Sequence, residues 1–290
     1  MIIVRLEGGL GNQLFQYAAG RTVALNSNHD LLLDILGFET DTLRGYCLQH
    51  FNISQSFATE NQVARLTSSK GLKKYVRYVK KKFPLCQGSW VIEKDFRFNP
   101  DILNLRGDIY LDGYWQSYKY FENIKDVLKK DLEITTPADG KNIEMATQIK
   151  NSLSVSVHIR RGDYVSNPQV NSRHGLCSLE YYKAAIQRIV NAVGTPQFFV
   201  FSDDPVWARA NLNLNYPVTF CDHNNSSDRH YEDLRLMSLC KHNILANSSF
   251  SWWAAWLNAN PEKIVFAPER WFAASGVDTS NLIPGNWQRI

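Results

Sequence analysis

Three apolar runs in the second half of the chain end in polar or charged side chains, and one ligand could lie across them. In the first, Leu153, Val155, Val157 and Ile159 alternate with Ser154, Ser156 and His158, and Arg160, Arg161, Gly162, Asp163 and Tyr164 follow. Alternation is the period of a strand, so His158 and Arg160 would leave it on one face. A cation at the carboxyl end of a strand, followed by glycine, stands where an α/β sheet seats its ligand. A solvated arginine pair would look the same in isolation. The second run, Phe198 to Phe201, ends in Ser202, Asp203 and Asp204, and the third, Ile244 to Ala246, ends in Asn247, Ser248 and Ser249 and runs into Phe250. Small polar residues at a helix start present backbone N–H groups and the positive end of the helix dipole, which is a seat for phosphate. Ser248 and Ser249 would add hydroxyls. An ordinary serine N-cap is the alternative, and an arginine on a neighbouring strand end tips the reading towards phosphate.

The carboxylates after the second run divide differently. Asp204 precedes Pro205 and reads as a helix cap. Asp203 either accepts hydrogen bonds from a base or ribose or is a structural carboxylate. Adjacent carboxylates of this kind do not suit a hard cation shared with phosphates. Trp252, Trp253 and Trp256 read as packing between helix and sheet. Near the N-terminus, Gly8-Gly9-Leu10-Gly11-Asn12-Gln13 lacks the third glycine of a dinucleotide fingerprint, and no P-loop pattern occurs anywhere. Gly9 and Gly11 would let backbone approach a ligand, with the amides of Asn12 and Gln13 opening a helix.

These side chains need a scaffold of alternating strands and helices. Expected strands are Ile2–Leu6, Leu31–Leu33, Ile109–Leu111, Leu153–Ile159, Gln197–Phe201, Asn243–Ala246 and Lys263–Ala267. Expected helices run from Asn12 to about Leu25, Tyr118 to Leu132, Ser178 to Val193, from Asp204-Pro205, and from Phe250 to Leu257. That rhythm predicts an α/β fold with parallel sheets covered on both faces. A turn-rich stretch from Glu133 to Lys141 suggests two domains, 1–140 and 141–290. Residues 35–100 yield no clear arrangement.

The 290 residues are 44% hydrophobic and 21% charged, with net charge +4, which is globular. No apolar run is long enough to span a membrane, and Met1-Ile-Ile-Val reads as a strand rather than a leader. Five scattered cysteines without metal or redox spacing suggest reduced thiols in a cytoplasm. Between Lys70 and Lys82, seven of thirteen residues are basic, with Leu72, Tyr75, Val76, Val79 and Phe83 at helical spacing. Such a helix over 70–83 either packs its apolar stripe into the core or lies on an anionic membrane face. A single basic patch without a recognised motif does not point to nucleic acid.

Five segments together resemble the bacterial α-1,2-fucosyltransferases of glycosyltransferase family eleven. They are Gly8–Tyr17, Gly113-Tyr114-Trp115-Gln116, His158–Tyr164, Phe201–Asp204 and Asn247–Ala255, in family order and spread over most of the chain. The resemblance implies a GT-B-like fold of two facing Rossmann-like domains with the active cleft between them. It implies inverting transfer of L-fucose from GDP-β-L-fucose to the 2-hydroxyl of a terminal β-galactoside, with no metal and no resident cofactor. Carried onto this chain, Arg160 would hold the β-phosphate, His158 would lie near the nucleotide and Asp203 would face guanosine. Ser248 and Ser249 would meet the pyrophosphate, and Asn12 the fucose and leaving phosphate from the other domain. A lipid-linked acceptor would suit a cytoplasmic enzyme touching the inner membrane face. For the acceptor proton, Glu7, Asp163, His174 and the leaving phosphate are the candidates, with Asp163 preferred. Two other classes compete: a Mg-dependent kinase or ATPase using the same strand ends, and a sugar-binding module using its tryptophans.

Overall fold

A computed structural model of the chain describes residues 1–67, 89–226 and 228–290, apart from the side chains of Asp163, Ser166 and Val170. The expected basic helix over 70–83 and Cys86 lie outside the described residues. Two compact units emerge. One comprises Met1–Thr135 with Asp278–Ile283, the other Thr136–Val277 with Pro284–Ile290. The division falls at Thr135 instead of 140, and a short C-terminal segment belongs to the first unit.

The first unit holds β1 (Ile2–Arg5), α1 (Leu10–Ser27), β2 (Leu31–Asp34), α2 (Glu60–Thr67), β3 (Trp90–Ile92), β4 (Ile109–Asp112) and α3 (Lys125–Asp131). Its sheet has the order β2-β1-β4-β3, and every pairing is parallel. Parallel sheets need cover on both faces, hence the uninterrupted burial of Ile2, Ile3, Val4 and all of β4. Helix α1 starts at Leu10, two residues before its expected start. Gly9 takes the N-cap, and the N–H groups of Asn12 and Gln13 both donate to the Gly9 carbonyl, at 2.9 and 3.1 Å. The leading amides therefore belong to Leu10 and Gly11. The helix expected over 118–132 is broken. Two 3₁₀ turns, Tyr118–Tyr120 and Glu122–Ile124, precede α3, with Phe121 at φ −136° between them. Adjacent helix positions point about 100° apart, and this break lets Tyr120 and Phe121 both be buried.

The second unit holds α4 (Gly140–Lys150), β5 (Ser154–Ile159), α5 (Gly162–Ser166), α6 (Pro168–His174), α7 (Leu179–Val193), β6 (Gln197–Ser202), α8 (Pro205–Asn211), β7 (Val218–Cys221), α9 (His230–Leu239), β8 (His242–Ile244), α10 (Ser249–Leu257), β9 (Val265–Ala267) and β10 (Gln288–Arg289). The order is β10-β9-β8-β5-β6-β7, again wholly parallel. Val155, Val157 and Ile159 of β5 and Phe198 and Val200 of β6 pack on Tyr182, Ala185, Ile186 and Ile189 of α7. At about 1.5–3 kcal/mol per buried side chain, this layer is what holds β5 and β6 in place. Trp252, Trp253 and Trp256 are buried in a chain of edge-on contacts at 5.1 Å, so they are core, as read from sequence.

Both sheets have a point where the strand order reverses. In the first the chain leaves β1 for β2 on one side while β4 lies on the other; in the second it leaves β5 for β6 while β8 lies on the other. Ligands of open α/β sheets bind outside the carboxyl ends of such strands. In the second unit those ends carry His158–Arg160 and Asn247–Ser249.

Candidate functional site

At the end of β5 the Arg160 guanidinium is a quarter or less exposed and pairs with the Asp203 carboxylate at 2.8 Å. It also stands 5.5 Å from the centre of the Tyr164 ring. Asp203 accepts the Arg161 backbone N–H at 2.8 Å as well. A Cβ at Gly162 would sit 2.5 Å from that carboxylate, so the residue after the arginine pair has to be glycine for Asp203 to come this close. Arg161 turns the other way. Its Nε donates to Asp204 at 3.2 Å and its guanidinium stacks on Trp207 at 3.8 Å. Asp204 also caps α8 by accepting the Trp207 N–H, and the Ser202 hydroxyl accepts the Asp204 N–H. Thus Arg161, Asp204 and Ser202 build the turn. Arg160 is fixed in it with its charge half-sheltered, where a bound anion is less screened than at a bare surface.

His158 lies on the same face of β5 and is 5% exposed. Burial first, then the charges of Arg160 and His230, push its pKa down to about 3, so the ring is neutral. Its Nδ1 is buried and has no hydrogen-bond partner among the described residues. A buried polar atom left without a partner costs about 1–3 kcal/mol and calls for an explanation at the site where it occurs. The ring lies 5.5 Å from Phe250, which in turn lies 6.3 Å from His230 at the start of α9. These contacts bring the β5 end to the first turn of α10. Ser248 is the N-cap of that helix and accepts the Phe250 N–H at 3.3 Å, and Ser249 opens its first turn. Ser248 is therefore a cap, with its hydroxyl engaged from inside the helix.

Asn247 is not placed to meet a ligand with its side chain. It is 3% exposed, its Nδ2 donates to the carbonyls of His174, Gly175 and Trp271, and its Oδ1 accepts from Cys177. It ties the loop after α6 to the strand end, and the Tyr164 hydroxyl donates to its carbonyl at 3.4 Å. His174 is stacked on Tyr164 at 4.9 Å and touches Phe272 at 5.3 Å. An aromatic column thus runs behind Arg160.

In the first unit, Gln13 is also spent internally. Its Nε2 donates to the carbonyls of Gly8 and Gly45, and its Oε1 accepts the Cys47 N–H. Asn12 accepts a hydrogen bond from Gln116 at 2.9 Å. Gly9 and Gly11 sit at the cap and first turn beside it. Of the candidate bases, Glu7 pairs with Arg5 at 2.8 Å. The Asp163 side chain lies outside the described residues. Sequence reasoning missed His230 and Glu93 as parts of these sites. His230 lies in a polar stretch without any periodic signal, and Glu93, whose carboxylate accepts the Tyr114 N–H at 2.6 Å, meets a partner twenty-one residues away.

A family model described as Glycosyl transferase family 11 matches residues 95–289. An Escherichia coli α-1,2-colitosyltransferase is 36% identical over 100% of this chain and 99% of its own. An E. coli O-antigen biosynthesis glycosyltransferase, WbnK, is 33% identical over 97% of this chain and 98% of its own. Among solved structures, FUT1 of Arabidopsis thaliana in complex with GDP is similar with a TM-score of 0.51 at 14% identity, covering 93% of this chain and 71% of that one. That last likeness is one of fold.

Proposed function

The chain belongs to glycosyl transferase family 11, and on that premise we propose that it transfers L-fucose from GDP-β-L-fucose to the 2-hydroxyl of a terminal β-galactoside, with inversion. The observation that carries the donor side is Arg160, fixed by Asp203 at the end of β5, where His158 of the same strand meets Phe250 in the first turn of α10. Guanidinium and helix amides together suit a diphosphate. As the bond from C1 to the phosphate oxygen breaks, negative charge grows on GDP and positive charge on the sugar. A cation held beforehand gains strength as that charge develops, so it lowers the barrier rather than only tightening binding. His158, neutral and with its Nδ1 unmatched, supplies a polar group beside the nucleotide without adding positive charge that would hold the product back. The acceptor oxygen attacks C1 from the opposite face and loses its proton to a base, for which Asp163 is our candidate.

Similarity to an O-antigen glycosyltransferase supports an oligosaccharide acceptor, which we take to be galactose-terminated and carried on a lipid at the inner membrane face. No helix among the described residues is long and apolar enough to cross a membrane. A second donor has a specific observation in its favour, the 36% identity to a colitosyltransferase. Colitose is fucose without its 3-hydroxyl. A site that hydrogen-bonds that hydroxyl rejects the deoxy sugar by about 10⁴-fold, whereas an apolar site barely distinguishes the two.

The test is turnover of GDP-fucose and GDP-colitose side by side on a β-galactoside, with and without EDTA. The reading expects GDP-fucose to be preferred and EDTA to leave the rate unchanged. Preference for GDP-colitose would move the donor to the second reading. Absence of any turnover, together with a thermal shift given by ADP and not by GDP, would remove both in favour of an adenine-nucleotide enzyme.

A further inference from the structure

Trp115 is a backbone anomaly of the first unit, where the only other described non-glycine residue at positive φ is Asn28. It holds φ at +54°, a region bulky side chains avoid. It is also 1% exposed, with an indole N–H that meets no acceptor among the described residues. Two unfavourable features on one residue persist only where the surroundings over-determine its conformation, and they cluster at functional positions. Glu93, just beyond β3, does the determining. Its carboxylate accepts the Tyr114 N–H at 2.6 Å and the Trp115 N–H at 2.9 Å. The Ser117 N–H donates back to the Trp115 carbonyl at 2.8 Å, and the indole packs edge-on against Tyr120 at 5.7 Å.

This turn leaves β4 at the point where the strand order of the first sheet reverses. Its result is the placement of one side chain. Gln116 is 7% exposed, and its Nε2 donates to the Oδ1 of Asn12 at 2.9 Å. Asn12 lies in the first turn of α1 with its Nδ2 edge over Gly8. A Cβ on Gly8 would stand 2.6 Å from that nitrogen, and Gly8 itself holds φ at +77°. The backbone of the glycine turn, the Asn12 amide and Gln116 therefore fix one another.

We propose that Gln116, set by the turn that Glu93 clamps, is a positioning residue that occupies the acceptor edge of Asn12 and commits the Asn12 amide to act as a hydrogen-bond donor to an oxygen of the sugar substrate. The inference rests on the glycosyl-transfer reading above. The direction of the amide matters because the oxygens around the breaking bond gain negative charge and need N–H groups, not lone pairs. An unsupported asparagine could present either edge. The Gln116 N–H₂, donating to the asparagine oxygen, disfavours the wrong one.

Gln116→Glu tests this, because it keeps the size and the hydrogen bond but reverses the polarity. A carboxylate only accepts, so Asn12 must turn its N–H₂ inward and its Oδ1 outward. The expected result is a kcat on the GDP-sugar lowered about a hundredfold, to the level of Asn12→Ala, with GDP affinity within about twofold of wild type. The double variant Asn12→Ala with Gln116→Glu should be no slower than Asn12→Ala alone, since both changes remove the same contact. If Gln116→Glu does not fold, Gln116→Met fills the same volume with no polar edge and is read in the same way. Near-normal kcat in Gln116→Glu, or losses that multiply in the double variant, would overturn the proposal. A wild type that turns over no GDP-sugar would instead overturn the glycosyl-transfer reading and this inference with it.

Discussion

Asp203 separates two accounts of the donor site that make opposite predictions for one substitution. The resemblance places it on guanosine. The geometry places it on Arg160 and on the Arg161 N–H, at 2.8 Å each. Asp203→Asn keeps the shape but has one carbonyl oxygen where the carboxylate had two, so one of these contacts is lost and the Arg160 charge is left without its counter-ion. Charge-assisted hydrogen bonds are worth about 1.5–3 kcal/mol when sheltered. Arg160 and Asp203 are 22% and 25% exposed, so a discounted figure of about 1–2 kcal/mol is appropriate. That lowers the melting temperature by roughly 2–6 °C for a chain of this size. An Arg160 no longer held should lose a comparable part of its transition-state contact, about a tenfold fall in kcat. GDP affinity should hold or rise, because a negative charge near the diphosphate has gone. If Asp203 instead bound the base, GDP affinity would fall by about a hundredfold. Calorimetric titration of GDP and steady-state kinetics on the same preparation distinguish the two. Lost GDP affinity with kcat intact would refute the arginine-orienting account.

Two pH dependences follow from buried groups. His158 is held neutral, with a folded pKa near 3 against 6.5 when exposed, so the unfolded chain binds the extra proton as pH falls. Its contribution is complete above about pH 6.5 and declines towards pH 3, by about 2 kcal/mol on reaching pH 5. His158→Phe should flatten this part of the stability profile in urea titrations, and an unchanged slope would contradict the buried neutral ring. Asp233 behaves in the opposite sense. Burial first raises its pKa from 3.8 to about 7, against a hydrogen bond from Asn224. Its protonated form is stable in the fold below pH 3.8, and stability declines as pH rises through about 7. Asp233→Asn should therefore melt higher than wild type near neutrality, with the gap closing in acid; equal melting at both pH values would count against the buried acid.

The strands that carry the donor site were legible because parallel strands buried on both faces are dense in Val, Ile and Phe. Val155 to Ile159 and Phe198 to Phe201 could hardly be read otherwise. The cap role of Asp204 was equally local and is met within three residues, whereas Ser248, read towards phosphate, also proves to be a cap. What failed was non-local. Helix α9 gave no amphipathic signal because Glu232, Leu234, Leu236 and Met237 are all buried, so its apolar residues do not form a single stripe. The break at Phe121 answers to the packing of two neighbouring aromatics, which a helical period cannot show. Asn247 and Gln13 look like ligand-binding amides in sequence, and only the folded chain shows the carbonyls that consume them. Trp115 at positive φ had no sequence signal at all, since left-handed turns are expected at glycine or asparagine.

The central claim is that the Arg160 fork does more for the departing diphosphate than for the bound one. Arg160→Lys keeps the charge and removes the planar pair of donors. Measured with the GDP-sugar, its kcat should fall at least about a hundredfold while the GDP dissociation constant changes by less than about tenfold. A lysine variant with wild-type kcat, or one whose entire loss lies in GDP binding, would contradict it.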